Sequence, residues 1–207
     1  MRALMSHVII DLITTHIQSD EVERLLHPQT SGIILFGRNI VDSAQVRDLT
    51  DQIRSINPNV LIYIDQEGGR VQRIKTEIGV LPPLAALGWR YQHDSELAKY
   101  EARLLGWLMA SHVVSAGVDV SFAPVLDRDH KRSQVIGDRA FSQDSTAIVE
   151  LALAYMQGMH EAGMATVGKH FPGHGFVVAD SHLELPVDPR PFHQIAQEDL
   201  CVFEQVL

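Results

Sequence analysis

Short β-branched runs alternate with longer stretches of helical period along this chain. Val8-Ile-Ile-Asp-Leu12 reads as a first strand, Asp20–Leu26 as a short acidic helix, and Gly32-Ile-Ile-Leu-Phe36 as a second strand. Ser43 is placed to cap a helix from Ala44 to about Ile56, with Val46, Leu49 and Ile53 on one face and Asn57-Pro58 ending it. Val60-Leu-Ile-Tyr-Ile64 is the third strand. After Leu81-Pro-Pro83 the period predicts a long helix from about Ser95 to Ala116. Its apolar stripe is Leu97, Tyr100, Leu104, Leu105, Leu108 and Val113, and Gly117 stops it. Trp107 falls inside that helix and is expected in the core. Val118–Ala123 is the fourth strand, Ser145–Ala162 a further helix, Met164-Ala-Thr-Val167 the start of a fifth strand, and Asp199–Leu207 the start of one more helix.

Strands separated by helices imply parallel βαβ units. Five such units allow either an open doubly wound sheet or a (β/α)8 barrel cut short, since a full barrel takes eight strands and ~250 residues. The last helix ends without a cap, which favours truncation. Composition narrows the partners. The 207 residues are 45% hydrophobic and 21% charged, a globular balance, and 17 Lys plus Arg against 26 Asp plus Glu leave a net charge of −9. An acidic surface repels phosphate backbones and anionic lipid, so no nucleic-acid or membrane partner is expected. Cys201 is the only cysteine, which forbids an intrachain disulfide and a cysteine-based zinc site. No apolar run approaches the ~20 residues of a membrane span or the core of a secretory signal, so a soluble cytoplasmic location is expected. The sequence does not give the oligomeric state.

Chemistry concentrates where strands end. The second strand runs into Gly37-Arg38-Asn39, the third into Asp65-Gln-Glu-Gly-Gly-Arg70, the fourth through Pro124 into Asp127, and the fifth into Lys169-His170. Parallel α/β architectures build their sites at this edge, so four polar strand ends in a row point to a pocket rather than to unrelated solvated loops. Gly68-Gly69 lacks the spacing of a dinucleotide fingerprint, and there is no P-loop. The densest cluster is Gly168-Lys-His-Phe-Pro-Gly-His-Gly175 with Asp180-Ser-His182. His170, His174 and His182 are candidate metal ligands. However, Pro172-Gly173 keeps His170 and His174 off a shared helix face, and Lys169 would set a positive charge beside the ion. The alternative is acid–base chemistry, with Asp180 orienting the ring of His182.

Five segments carry a resemblance: Asp65–Arg73, Ser121–Asp127, Ile136-Gly-Asp-Arg-Ala-Phe141, Lys169–Gly175 and Asp180-Ser-His182. In this order they resemble glycoside hydrolase family 3, and most closely its single-domain bacterial β-N-acetylglucosaminidases of peptidoglycan recycling. The resemblance implies a TIM-type barrel of which residues 1–207 are the N-terminal part. It implies cytoplasmic removal of terminal non-reducing N-acetylglucosamine from muropeptides, with no metal or cofactor. Asp65, Arg73, Arg139, Lys169 and His170 would bind the sugar, His182 would be the general acid/base and Asp180 its partner. The nucleophile would be an aspartate beyond residue 207. Asp188 and Asp199 stand in the wrong context for that role, so a non-catalytic sugar-binding fragment is the alternative. Trp89 and Trp107 are the two candidates for a sugar-stacking platform.

Overall fold

The computed structural model describes residues 7–179, 183 and 185–207. Its centre is a parallel sheet of β1 (Val8–Asp11), β2 (Thr30–Leu35), β3 (Leu61–Ile64) and β4 (Val120–Ser121), adjacent in chain order. Helices α1 (Glu21–Leu26), α2 (Ser43–Ile56), α3 (Leu84–Tyr91), α4 (Ser95–Ser115) and α5 (Ser145–Glu161) pack outside it. The C-terminal segment winds through α6 (Phe192–Ile195), a π-helical turn (Ala196–Leu200) and α7 (Cys201–Val206). Strands added in sequence order with helical crossovers are the pattern of a TIM-type α/β barrel, here over its first units. Ile33, Leu35, Ile62 and Ile64 from the strands meet Val46, Leu49 and Ile53 of α2 in one buried core, and each such side chain contributes about 1.5–3 kcal/mol on burial. No helix among the described residues is long and apolar enough to cross a membrane.

Five expectations need correction. The fifth strand is not a continuous ladder: residues 165–169 run parallel to residues 120–125 through isolated bridges at Val120–Ala165 and Val125–Lys169. Pro124 lies in the middle of the partner segment and has no N–H to donate, which interrupts the ladder there. Its carbonyl still accepts from Lys169 N, and Leu126 N donates to Lys169 O at 2.6 Å, so the segment stays in register. The N-cap of α2 is Asp42, whose carboxylate accepts from Gln45 N; the Ser43 hydroxyl bonds instead to Glu77, Thr76 and His112. Helix α3 begins right after the Pro82-Pro83 pair and was not read from the sequence. The C-terminal helical segment starts at Phe192, ahead of Asp199.

The fifth correction concerns the buried face of α4. Leu97, Tyr100 and Leu104 are exposed, and so is Trp107, at 46% of its surface; Val113 alone of the expected stripe is fully buried. The face that packs is made of small residues, Ala98, Ala102, Gly106 and Ala110, with Met109. They let α4 and α5 approach until backbone touches backbone. A Cβ at Gly106 would lie 2.1 Å from Tyr155 O, and one at Gly158 would lie 1.9 Å from Arg103 O.

Gly158→Ala therefore sets two effects against each other. Alanine is favoured over glycine in a helix by ~1 kcal/mol, whereas forcing a methyl against backbone costs about 1–3 kcal/mol plus the displacement of α4. Steric exclusion should win, and the midpoint of urea unfolding should fall. An unchanged or raised midpoint would mean that the two helices are not in contact there.

Candidate active site

The strand ends open onto a cavity of about 430 Å³. Asp65 follows β3 directly, Arg73 lies on the loop after it, Arg139 ends a short 3-10 turn (Gly137–Arg139), and Lys169 and His170 close the fifth segment. All five line the cavity, so the side chains singled out in the sequence for sugar binding do converge. Phe36, Val71, Phe122 and Val135 supply apolar walls. The peptide bond between Lys169 and His170 is cis.

A continuous ionic network ties these groups together. Lys169 Nζ lies 2.8 Å from Asp65 Oδ1 and 2.5 Å from Glu67 Oε1. Arg139 grips Glu67 with a two-pronged pair, Nε to Oε2 at 2.8 Å and Nη2 to Oε1 at 2.9 Å. Arg73 Nη2 is 3.6 Å from Asp65 Oδ2. Below them, Asp127 is fully buried; its carboxylate accepts from His170 Nδ1 at 2.5 Å and from the backbone N–H of His174 at 2.7 Å. Burial alone would lower the pKa of the Arg139 guanidinium, but hydrogen bonding to Glu67 and the nearby Asp127 and Asp65 charges outweigh it and raise it.

Asp65 and Glu67 in the lining, with Asp127 buried beneath it, carry three negative charges against the three positive charges of Arg73, Arg139 and Lys169, so the site as a whole is charge-balanced. Some hydrogen-bonding capacity remains. Arg73 Nε and both ring nitrogens of His174 are buried with no partner among the described residues. Buried polar atoms without partners are costly, and a polar ligand in the cavity is one way to satisfy them.

Two other places were candidates. An apolar cleft of about 480 Å³ between α3 and α4 is lined by Trp89 and Leu104, and its charged pair Arg90–Glu101 is committed internally. Trp89 and Trp107 both lie away from the polar cavity, so neither forms a stacking platform there. His130, Glu198 and Asp199 bring ligand-type atoms within 4.8 Å of one another. Arg190 already occupies that cluster, bonded to Asp188 and paired with Glu198 and with Asp199 at 2.8 Å. His170 and His174 meet edge-to-face, with ring centroids 6.0 Å apart. Asp180 and His182, read as the acid/base pair, lie outside the described residues.

These strand-end motifs have close counterparts. The sequence profile of the glycosyl hydrolase family 3 N-terminal domain matches residues 5–207. The chain belongs to glycosyl hydrolase family 3. It is 46% identical over 201 residues to the beta-hexosaminidase of Methylobacillus flagellatus, covering 97% of this chain and 58% of that protein. It is 47% identical to the beta-hexosaminidase of Alkalilimnicola ehrlichii, covering 98% and 59%. Among solved structures, NagZ from Neisseria gonorrhoeae in complex with N-trifluoroacetyl-D-glucosamine superposes with a TM-score of 0.92 at 40% identity, over 97% of this chain and 60% of that one. This family 3 chain thus spans a little under two-thirds of the length of these relatives.

Asp127 and the loop holding Glu67 count among the polar strand ends in the sequence, but neither residue was given a role there, although both stand inside the motifs quoted for the resemblance. The available signal was their position: each follows a buried strand run by a few residues, as Asp65 does.

Two outcomes follow from the charges. Glu67→Ala removes the shared partner of two shielded cations, Arg139 and Lys169, and should destabilise the fold by about 3–5 kcal/mol in denaturant titration. Glu67→Gln keeps the shape and should cost less. The Arg190 hydrogen bond holds the Asp188 carboxyl below its ordinary value. A depressed carboxylate contributes stability that is complete above its unfolded value of ~3.9 and is lost as pH falls through the folded one. Thermal melts from pH 6 to pH 2 should therefore show an acid limb that is shallower in Asp188→Asn; identical limbs would count against the pairing.

Proposed function

We propose that this chain carries the sugar-binding and acid/base part of a retaining exo-β-N-acetylglucosaminidase. Its substrate would be the terminal non-reducing N-acetylglucosamine of cytoplasmic cell-wall muropeptides, and residues 1–207 would be the first part of a single barrel domain. The supporting observation is the charge-balanced cavity. It offers many directional donors and acceptors but no net field, which suits a neutral, hydroxyl-rich ring better than a phosphate or a carboxylate. The N-acetylglucosamine analogue in the gonococcal NagZ structure supports the same ligand class.

In this reading Asp65 accepts from sugar hydroxyls in charge-assisted bonds, while Arg73, Arg139, Lys169 and His170 fix the remaining hydroxyls and the N-acetyl arm. His182 gives its proton to the departing glycosidic oxygen and later takes one from the attacking water, with Asp180 stabilising the imidazolium. A retaining mechanism also needs a carboxylate to form the glycosyl-enzyme intermediate. The cavity carboxylates among the described residues are all paired with cations or held by His170, and Asp188 and Asp199 are both taken up by Arg190. This favours a second reading for the chain in isolation, in which it binds saccharide without turning it over.

Calorimetry and a chromogenic N-acetyl-β-D-glucosaminide assay separate the two. The 207-residue chain should bind N-acetylglucosamine with at most trace hydrolysis, and Asp65→Ala should weaken binding ~10–100-fold, as expected for losing a hydrogen bond to a charged group. In a version extended to the length of the relatives, His182→Ala should lower kcat by ~10²–10⁴. Full-rate turnover without His182 would remove the acid/base role, and failure of Asp65→Ala to weaken binding would remove the sugar site.

A further inference from the structure

We propose that Asp127 is a positioning residue that fixes the proton of the His170 ring on Nδ1, so that Nε2 faces the cavity as an acceptor and selects a ligand hydroxyl. The choice of ligand rests on the saccharide reading; the placement of the proton does not.

Both ends of the ring dictate the same tautomer. At Nδ1 the neighbour is Asp127 Oδ2, 2.5 Å away, and an ionised carboxylate only accepts, so Nδ1 must carry the hydrogen. At Nε2 the neighbour is Arg139 Nη2, 3.2 Å away, and a guanidinium only donates, so Nε2 must present its lone pair. The Arg139 contact is the loosest that this guanidinium makes to a side chain, because its short bonds go to Glu67. The Nε2 lone pair can therefore be shared with a ligand O–H. The His170 side chain is one-third exposed (33%) and lines the cavity, whereas Asp127 is wholly buried and reaches a ligand only through the ring.

The second oxygen of Asp127 makes the arrangement sensitive to one atom. Oδ1 accepts from two backbone donors, His174 N at 2.7 Å and His170 N at 3.3 Å. In Asp127→Asn the single remaining oxygen is claimed by those two N–H groups, and the new amide NH2 is turned toward Nδ1. That nitrogen must then accept, the proton moves to Nε2, and an N–H points at the Arg139 guanidinium. Exchanging an orienting aspartate for asparagine traps a histidine in the wrong tautomer in this way. Asp127→Glu keeps an acceptor-only group and so serves as the conservative rescue.

The test uses the 207-residue chain with ¹⁵N-labelled histidine, whose bare and protonated ring nitrogens resonate far apart. A His170→Gln spectrum identifies the His170 signals. The expected result is a hydrogen on Nδ1 in the natural protein and in Asp127→Glu, and on Nε2 in Asp127→Asn. A second measurement titrates N-acetyl-D-glucosamine and its 3-, 4- and 6-deoxyfluoro analogues, since fluorine cannot donate. The natural protein should bind at least one fluoro analogue about fivefold or more worse, the scale of one net hydrogen bond. Asp127→Asn, with its melting temperature unchanged, should compress that ratio toward one. A natural His170 protonated on Nε2 overturns the proposal. So does an Asp127→Asn variant that keeps both the original tautomer and the full hydroxyl preference. If Asp127→Asn does not fold, the natural spectrum and the Asp127→Glu pair still decide. A correct tautomer with no binding of any of these sugars would overturn the saccharide reading and leave the role of Asp127 in holding the ring intact.

Discussion

Glu67 holds the candidate site in one piece. Its carboxylate is 2% exposed and takes both prongs of Arg139 and the ammonium of Lys169. These three side chains come from separate connections: the loop after β3, the turn before α5 and the end of the fifth segment. A carboxylate taken this far from water is tolerable only if neutralised, and so are the two shielded cations. The requirement is mutual, so the three loops are fixed relative to one another. Lys169 also reaches Asp65, which carries the constraint back to the sheet. The sheet sets where each loop starts, and the ionic network sets where each one finishes.

That division explains what was legible in the sequence. Asp65, Lys169 and His170 could be found because each stands at the end of an apolar β-run, and the change from buried to polar is visible in one chain. Asp127 and Glu67 show the same signal more weakly, and the sequence says nothing of what they bond to. Glu67 bonds to Arg139, 72 positions away, and Asp127 to His170, 43 away. A buried, fully paired carboxylate and a solvated loop carboxylate have the same one-letter code; only the fold separates them. The pattern also could not distinguish a ladder from a segment with two bridges, because the obstacle, Pro124, sits in the neighbouring segment and not in residues 165–169.

Helix α4 was placed correctly and oriented wrongly, and the reason is geometric. A helical period marks the face with the largest side chains as the buried one. Here α4 and α5 pack at backbone contact, which admits only Gly and Ala at the crossing and turns Leu97, Tyr100, Leu104 and Trp107 outward. Where helices approach this closely, the small residues carry the information and the large ones mislead. Trp107, expected in the core because it falls inside this helix, has a side chain too large for the crossing and stands outside it.

Two dense charge clusters stand out among the described residues, and they differ in what they leave unfilled. Around Arg190, the carboxylates of Asp188, Glu198 and Asp199 close onto one guanidinium that is itself stacked on Phe176. A metal ion entering there would have to displace a cation that is 5% exposed, so the cluster acts as a brace for the C-terminal segment. Across the cavity the charges also cancel, yet Arg73 Nε and the His174 ring nitrogens have no partner among the described residues. Cancelled charge with unspent hydrogen bonding describes a surface shaped for something polar and uncharged. A brace has no use for such a residue of capacity, and a binding site does, which is why the cavity and not the Arg190 cluster carries the functional argument.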